Sequence, residues 1–570
     1  MATAAPLPPL PPPESPPPGS AEEGAASEQR RRAVGGTFGA GADAAAGDSR
    51  EATQLTHEGA IYPSLWETSA PYLMEFFGVG VLTMTFMYNY SVNKDPVYTS
   101  TSNGLMVMAL TYALSHVSGA NLNPSVTISL LLTGRYTPRV AMKLCISQMM
   151  GAMAAATVRW QMSIVDVDIG PKAGHTFRAV IIVEILYTGM LCFVFLNCAA
   201  SNKNNPVRNP NGFVGLAVGL CFIAGGYAAS NISNTVMNSA IAVGLGFVDS
   251  KNGFSWTGVA YFLADTIGAF IGTALFRIVR PDEDNVGVAR RDAEDLRRDT
   301  DSAKLFAEFI GAFYVIFTKA LNRIGSDGSD TEIGPEAWSV AAALTAMVYS
   351  LRDVSGGYFN PAVTLSTSIS GFGFCSLRVA FFYMVSQIFA AIAASSLFTA
   401  MNNGKGIPLT FGGGESVYAV MFAEGSFSFL ITYVVLTMSI PMASAAVGSG
   451  SEATAKTPLK AAVGMKPGRR QPGPSDVAGF AYGSCHTAGG YAIGAISGSL
   501  LNPAVVLSFT GVDLLKGQVQ AQVMAYIVYQ VVGSLLGLGA WVVTHAGLYR
   551  QPKEEDLSGS DSPDESKSTA

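Results

Sequence analysis

Ser118-Gly119-Ala120-Asn121-Leu122-Asn123-Pro124-Ser125-Val126-Thr127 and Ser355-Gly356-Gly357-Tyr358-Phe359-Asn360-Pro361-Ala362-Val363-Thr364 are one phrase written twice. Each is a small-residue turn that runs into Asn-Pro-small and then a short apolar stretch. Two more tripeptides, Asn238-Ser239-Ala240 and Asn502-Pro503-Ala504, complete a matched pair of pairs. One Asn-Pro alone is ordinary turn chemistry. Four, each opening an apolar stretch too brief to cross a bilayer, predict two pores built from paired half-helices.

Charged residues are only 13% of the chain against 49% hydrophobic, roughly half the charge expected of a soluble protein. The 61 glycines suit close helix contacts in lipid. A net charge of −6 offers no basic field for nucleic acid. The six Cys and five His are scattered without metal or redox spacing, so no cofactor and no metal site is expected. No catalytic constellation is visible, which points away from an enzyme.

Twelve apolar segments of near-spanning length lie at 70–91, 103–118, 138–160, 176–198, 211–230 and 255–279, then 304–322, 337–352, 377–400, 416–440, 475–496 and 519–545. They divide the chain into a Pro/Ala/Gly-rich tail (1–65), a first unit (66–280), a charged linker (281–303), a second unit (304–547) with a loop insertion at 443–475, and an acidic tail (548–570). The tails lack the apolar residues to form a core and are expected to be disordered. No charged segment followed by an apolar run marks a cleavable signal peptide. Lys203 and Arg208, the linker arginines Arg290, Arg291, Arg297 and Arg298, and Lys456 to Arg470 place those loops and both termini on the cytoplasmic side.

Spacing repeats as well as motif. From Asn123 to Asn238 is 115 residues and from Asn360 to Asn502 is 142, the excess lying at the 443–475 insertion. Glu75 matches Glu308, Gln148 matches Gln387, and Ala224-Gly-Gly-Tyr227 matches Ala488-Gly-Gly-Tyr491. Glu184 and Glu424 both sit in a fourth span. Carboxylates inside a spanning segment are costly and imply a role. Half-helix N-termini facing one another would set unsatisfied N–H groups and positive dipole ends at mid-membrane. There Asn donates to a passing oxygen, Pro starts the helix where no N–H is needed, and a small residue permits close approach.

On these residues the chain resembles the aquaporin (major intrinsic protein) family, twice over, across about 70–280 and 304–546. The resemblance implies an all-α polytopic membrane protein of two tandem bundles, each of six transmembrane helices plus two re-entrant half-helices. It implies a passive channel for water or small uncharged solutes such as glycerol or urea. It also assigns loop support to Glu75, Glu184, Glu308 and Glu424. Such channels are typically tetramers, so a homodimer of this chain would supply four pores.

The chain departs from the family at the selectivity constriction. The usual Arg after the second tripeptide is replaced by Ile241 and Val505. Counting along matched segments, the other constriction positions are Asn103, Gly226 and Thr235 in the first unit and Val340, Gly490 and Ser499 in the second. No Arg, His or aromatic side chain remains in either inferred ring, which predicts either atypically wide constrictions that admit solutes larger than water, the outcome favoured for the second unit, or an apolar ring that dewets and acts as a gate. Ser239 in place of Pro weakens one half-site. The alternatives are a secondary transporter, with Asp265 and the Arg352-Asp353 pair as the nearest relay candidates, and a scaffold whose first unit does not conduct.

Overall fold

The computed structural model describes residues 65–92, 96–161, 167, 169–205, 210–247, 255–284, 300–324, 333–406, 416–447, 475–515 and 521–546. Apart from Leu65, both expected tails lie outside these residues, as do most of the 281–303 linker and of the 443–475 insertion. The described secondary structure is helical. Unit 1 comprises α1 (Leu65–Val92), α2 (Pro96–Ser118), α3 (Pro124–Leu132), α4 (Pro138–Gln161), α5 (Phe177–Phe195), α6 (Val214–Ala228), α7 (Ser239–Phe247) and α8 (Trp256–Val279). Unit 2 repeats them in order as α9 (Asp301–Asn322), α10 (Ile333–Ser355), α11 (Pro361–Ile369), α12 (Leu377–Met401), α13 (Val417–Val447), α14 (Ser475–Ser497), α15 (Pro503–Leu515) and α16 (Ala521–Thr544). Each unit therefore has six long helices and two short ones, and the short ones begin at the four tripeptides.

Within a unit the first span packs on the fourth helix (α1 on α4, α9 on α12), α5 packs on α8 as α13 does on α16, and α2 packs on α6 as α10 does on α14. Each half of a unit holds three spans and one half-helix. An odd number of crossings inverts the second half relative to the first, so the two half-helices enter from opposite sides and meet head to head.

Eight of the long helices are long and apolar enough to cross a membrane: α1, α4, α5, α8, α9, α12, α13 and α16. The other four, α2, α6, α10 and α14, are short or richer in small and polar residues. Of these, α6 and α10 pack on each other at the joint between the units and are largely buried, so they need less apolar surface. Glycine makes close packing possible at α2–α6. A Cβ on Gly104 would stand 2.7 Å from the Gly219 carbonyl oxygen, and one on Gly219 2.6 Å from that of Gly104.

Three span starts fall well before the sequence expectation: α1 begins at Leu65, not 70, α2 at Pro96, not 103, and α10 at Ile333, not 337. The extra turn of α2 is polar, but Thr99 and Ser100 are buried against protein, a preference that hydropathy cannot register. α13 likewise runs on to Val447, past the expected end at 440.

The units join through α9 and α10 of unit 2, which dock on α5 and α6 of unit 1. Tyr187 and Thr318 share a hydrogen bond of 3.0 Å, and Tyr314 donates to the Leu186 carbonyl at 3.1 Å. The Ser339 hydroxyl donates to the Ala224 carbonyl at 2.9 Å. At the end of α8 Arg280 is fully buried. It grips Asp353 in a bidentate pair at 2.7 and 2.8 Å and donates to Asn197 Oδ1 at 2.6 Å and the Ser350 carbonyl at 3.0 Å. Phe213 stacks on Tyr349 with ring centroids 4.4 Å apart. Just beyond, Glu283 accepts from Ser201 Oγ, the Asn202 and Lys203 N–H groups and Arg135. Burial works against its charge, but these donors and nearby Arg280 outweigh it and hold its pKa below the usual carboxylate value.

Candidate pores

Each half-helix is set by the same device. The residue before the tripeptide, Leu122, Met237, Phe359 or Leu501, is left-handed, with φ between 49° and 54°. That is costly for a side-chain-bearing residue and persists only where the surroundings enforce it. The enforcing group is a buried glutamate. Glu75 accepts the N–H groups of Asn121 and Leu122 at 3.0 and 2.7 Å, and Glu184 those of Val236 and Met237, both at 2.9 Å. Glu308 accepts from Tyr358 and Phe359 at 3.1 and 2.7 Å, and Glu424 from Leu500 and Leu501 at 2.9 and 2.8 Å. All four carboxylates are wholly buried.

Gln148, Gln387 and Gln530 each donate to one of these carboxylates, at 2.7 to 2.9 Å. Asp265 stands where Gln530 stands in the repeat. It lies beside Glu184 and accepts from Thr188 Oγ1 at 2.8 Å. Asp265 thus belongs to the loop-holding group, and Asp353 to the joint between units. Neither forms the relay considered from sequence.

With the N–H groups held, the loop carbonyls turn toward the opposite half-helix. Asn123 Nδ2 donates to the Met237 carbonyl and Asn238 Nδ2 to the Leu122 carbonyl, both at 2.8 Å. In unit 2 Asn360 donates to the Leu501 carbonyl at 2.8 Å and Asn502 to that of Phe359 at 2.9 Å. Each Asn Oδ1 caps its own helix by accepting the N–H of Ser125, Ala240, Ala362 or Ala504. An amide carries two N–H donors, so each Asn has a second one beyond its cross-bond. Pro124, Pro361 and Pro503 open three of the half-helices; Ser239 opens the fourth, and its hydroxyl bonds to that of Ser125. The Ser-for-Pro change leaves the cross-bonds of unit 1 intact.

The expected constriction residues converge in unit 1. Asn103, Gly226, Thr235 and Ile241 line one cavity of about 20 Å³, and Asn89 Nδ2 donates to Asn103 Oδ1 at 2.8 Å. In unit 2, Val340, Gly490 and Ser499 line one of about 10 Å³, while Val505 lies buried off it. A cavity of this size holds one or two waters.

Two expectations are corrected. First, the glycines do not widen the rings. A Cβ at Gly226 would stand 2.7 Å from Ser100 Oγ, and one at Gly490 2.2 Å from Ala337 Cβ, so these glycines admit the neighbouring helix. Second, the rings are not bare of aromatic, His and cationic groups. Phe86, Tyr90 and Phe222 also line the unit 1 cavity, and Lys319, Glu336 and His486 that of unit 2. Phe86, Tyr90 and Lys319 come from first spans not counted into the ring, while Phe222, Glu336 and His486 lie on counted spans, each four residues before Gly226, Val340 and Gly490. The available signal was Lys319 and Arg323, one helical turn apart near the end of an otherwise apolar span.

The sequence profile of the major intrinsic protein family matches residues 56–276 and again 295–465, and the chain belongs to that family as two tandem units. It is 30% identical over 236 residues to aquaporin NIP1-1 of Arabidopsis thaliana, covering 38% of this chain and 77% of that one. It is 26% identical over 205 residues to aquaporin Z of Rhodopseudomonas palustris, covering 33% and 82%. The X-ray structure of the aquaglyceroporin from Plasmodium falciparum aligns with 44% of this chain and all of its own at 17% identity, TM-score 0.33. Membership makes this a multi-pass membrane channel for water or small solutes and not an enzyme.

Proposed function

We propose that residues 66–280 and 304–547 each form a pore for water and the smallest uncharged solutes, so that one chain carries two conducting paths. The reciprocal asparagine bonds carry this reading. All four tripeptides bring an amide to a half-helix tip, and each pair closes on the same centre. Every permeant then meets two amide donors and two positive dipole ends, which suits a neutral oxygen and opposes a cation. The water-sized cavities favour water over glycerol or urea. The glutamates act as loop supports, and the ring residues as the narrowest point of each path.

Unit 1's intact cross-bonds argue against its being a passenger, and the use of Asp265 and Asp353 in structural contacts argues against a coupled carrier. The basic loops support a reading with both termini in the cytoplasm. The faces of α1–α2 and α13–α14 are the counterparts of the two faces joined inside the chain. A second copy repeating that joint would close a ring of four units from two chains.

Stopped-flow swelling of proteoliposomes in water, glycerol and urea gradients tests the proposal. Water flux should be lowered by Thr235→Trp and by Ser499→Trp, each alone giving partial loss. If one substitution removes all flux, the other unit does not conduct.

A further inference from the structure

Each contact of the joint between the units has a counterpart pair elsewhere in the chain, fixed by the repeat. Phe213 and Tyr349, stacked across the joint, are 6% and 4% exposed. Val477 stands 13 residues before Gly490, as Phe213 does before Gly226, and Tyr112 stands 11 before Asn123, as Tyr349 does before Asn360. These counterparts are 55% and 45% exposed. Tyr112 nevertheless sits in its unit as Tyr349 does in its own. The hydroxyl of Tyr112 accepts the Leu216 N–H at 3.1 Å, and that of Tyr349 the equivalent Phe480 N–H at 3.2 Å. Tyr112 therefore offers outward the ring face that Tyr349 uses. The Ser339 bond to the Ala224 carbonyl has its counterparts in Ser102 and the exposed Ala488.

One contact changes its chemistry. His116 stands seven residues before Asn123, as Asp353 does before Asn360, and His545 stands 15 after Gln530, as Arg280 does after Asp265. His116 is exposed in the last turn of α2. His545 follows α16 as Arg280 follows α8, stacked on Trp541 with ring centroids 4.9 Å apart. Resting on the reading that a second copy closes the ring of four units, we propose that His116 of one chain meets His545 of the other, in the place that Asp353 and Arg280 hold within the chain. The same joint sets Tyr112 against Val477 and Ser102 against the Ala488 carbonyl of the second copy, and two-fold symmetry makes every contact twice. Lipid tails could cover Tyr112 and Val477 but offer no carbonyl to Ser102.

The tautomer follows from His545's own contacts. Its Nδ1 lies 3.1 Å from the Trp541 carbonyl, which can only accept, so Nδ1 carries the proton and Nε2 is an acceptor for a His116 N–H. The substitution has a physical reason. The internal joint never parts, so its buried ion pair never loses a partner. Faces that meet only on assembly gain from groups that need no opposite charge, because half of a buried ion pair without its mate is strongly destabilising. The joint between chains is thus the weaker and reversible one.

Cross-linking of the full chain in proteoliposomes tests the contact. His116→Cys and His545→Cys in one chain should give a two-chain product with a short bismaleimide, on the order of tenfold above either single variant or wild type, whose described cysteines are free. Rebuilding the ion pair is the second measurement. His116→Asp with His545→Arg should lower the dissociation constant of the two-chain form, followed by dilution in detergent, on the order of tenfold or more beyond the combined effect of the single changes. A two-chain mass without the cross-link, or single changes that simply combine, overturns the contact and leaves the ring of four units to another joint. A single-chain mass at every concentration, with water flux intact, overturns the two-chain reading itself and the contact with it. The cross-link needs no charge at either site, so it decides the matter if the charged variants do not assemble.

Discussion

Replacing Glu424 with glutamine isolates what a buried carboxylate does for a pore loop. Four donors converge on it: Ser497 Oγ at 2.6 Å, the N–H groups of Leu500 and Leu501, and Gln530 Nε2 at 2.9 Å. Ser497 and Leu500 share one oxygen, Leu501 and Gln530 the other. A glutamine keeps one acceptor and turns the second into a donor. Gln530 can adapt, because its own Oε1 has no partner and its amide can turn over to accept from the new NH₂ group. Leu501 cannot adapt. Its buried N–H is stranded, at about 1–3 kcal/mol, and its carbonyl is the one that holds Asn360. We expect Glu424→Gln to cost about 2 kcal/mol, read as a fall of about 4–8 °C in the apparent unfolding midpoint of a unit this size, with reduced water flux. Adding Gln530→Ala removes the adapting partner. The double variant should therefore lose about 1–2 kcal/mol more than the sum of the singles. Additivity within about 0.5 kcal/mol, or a Glu424→Gln protein as stable as wild type, would refute the reasoning.

Ile241→Arg and Val505→Arg should differ, although they occupy equivalent positions. The former enters a cavity with Phe86 and Tyr90 and should assemble normally; the latter adds a cation beside the counterparts Lys319 and Arg323 and should cut the yield of folded protein, measured by size-exclusion chromatography. Ser239→Pro should cost about 1 kcal/mol, because the Ser125 hydroxyl loses its partner, and Ser125→Ala in the same chain should recover it, both read as apparent midpoints. The Glu283 pKa is lowered in the folded protein, so its charge stabilises the fold above the ordinary carboxylate value, and that contribution fades as pH falls through the folded value. Glu283→Gln should accordingly lower the midpoint at neutral pH, and the gap from wild type should close only in acid below about pH 4.

The half-helices were legible because the chemistry of a helix start is local. Asn caps, Pro opens, and the pairing of Asn123 with Asn238 follows from two copies at matched spacing. The supporting glutamates were legible because a carboxylate in an apolar span demands a reason. The mouths were not, because their residues meet only after the bundle forms. Lys319 and Arg323 near the end of α9 look like interfacial charges until α10 brings Glu336 across and the loop brings the Gly498 carbonyl. Gly490 looked like an absence that would widen a ring. Only the position of Ala337 shows that the missing side chain makes room for a helix.

Arg280, sealed against Asp353, Asn197 and Ser350, makes the two units one body as well as one polypeptide. Separate channel subunits that assemble freely can be mixed in any proportion, set by how much of each is made. Here the proportion is written into the reading frame: every aromatic-mouthed unit arrives with one charged-mouthed unit, at any level of expression. A membrane containing this chain can raise or lower both paths together but cannot change their ratio by synthesis or turnover. Any independent adjustment has to act on a single mouth after the chain is made.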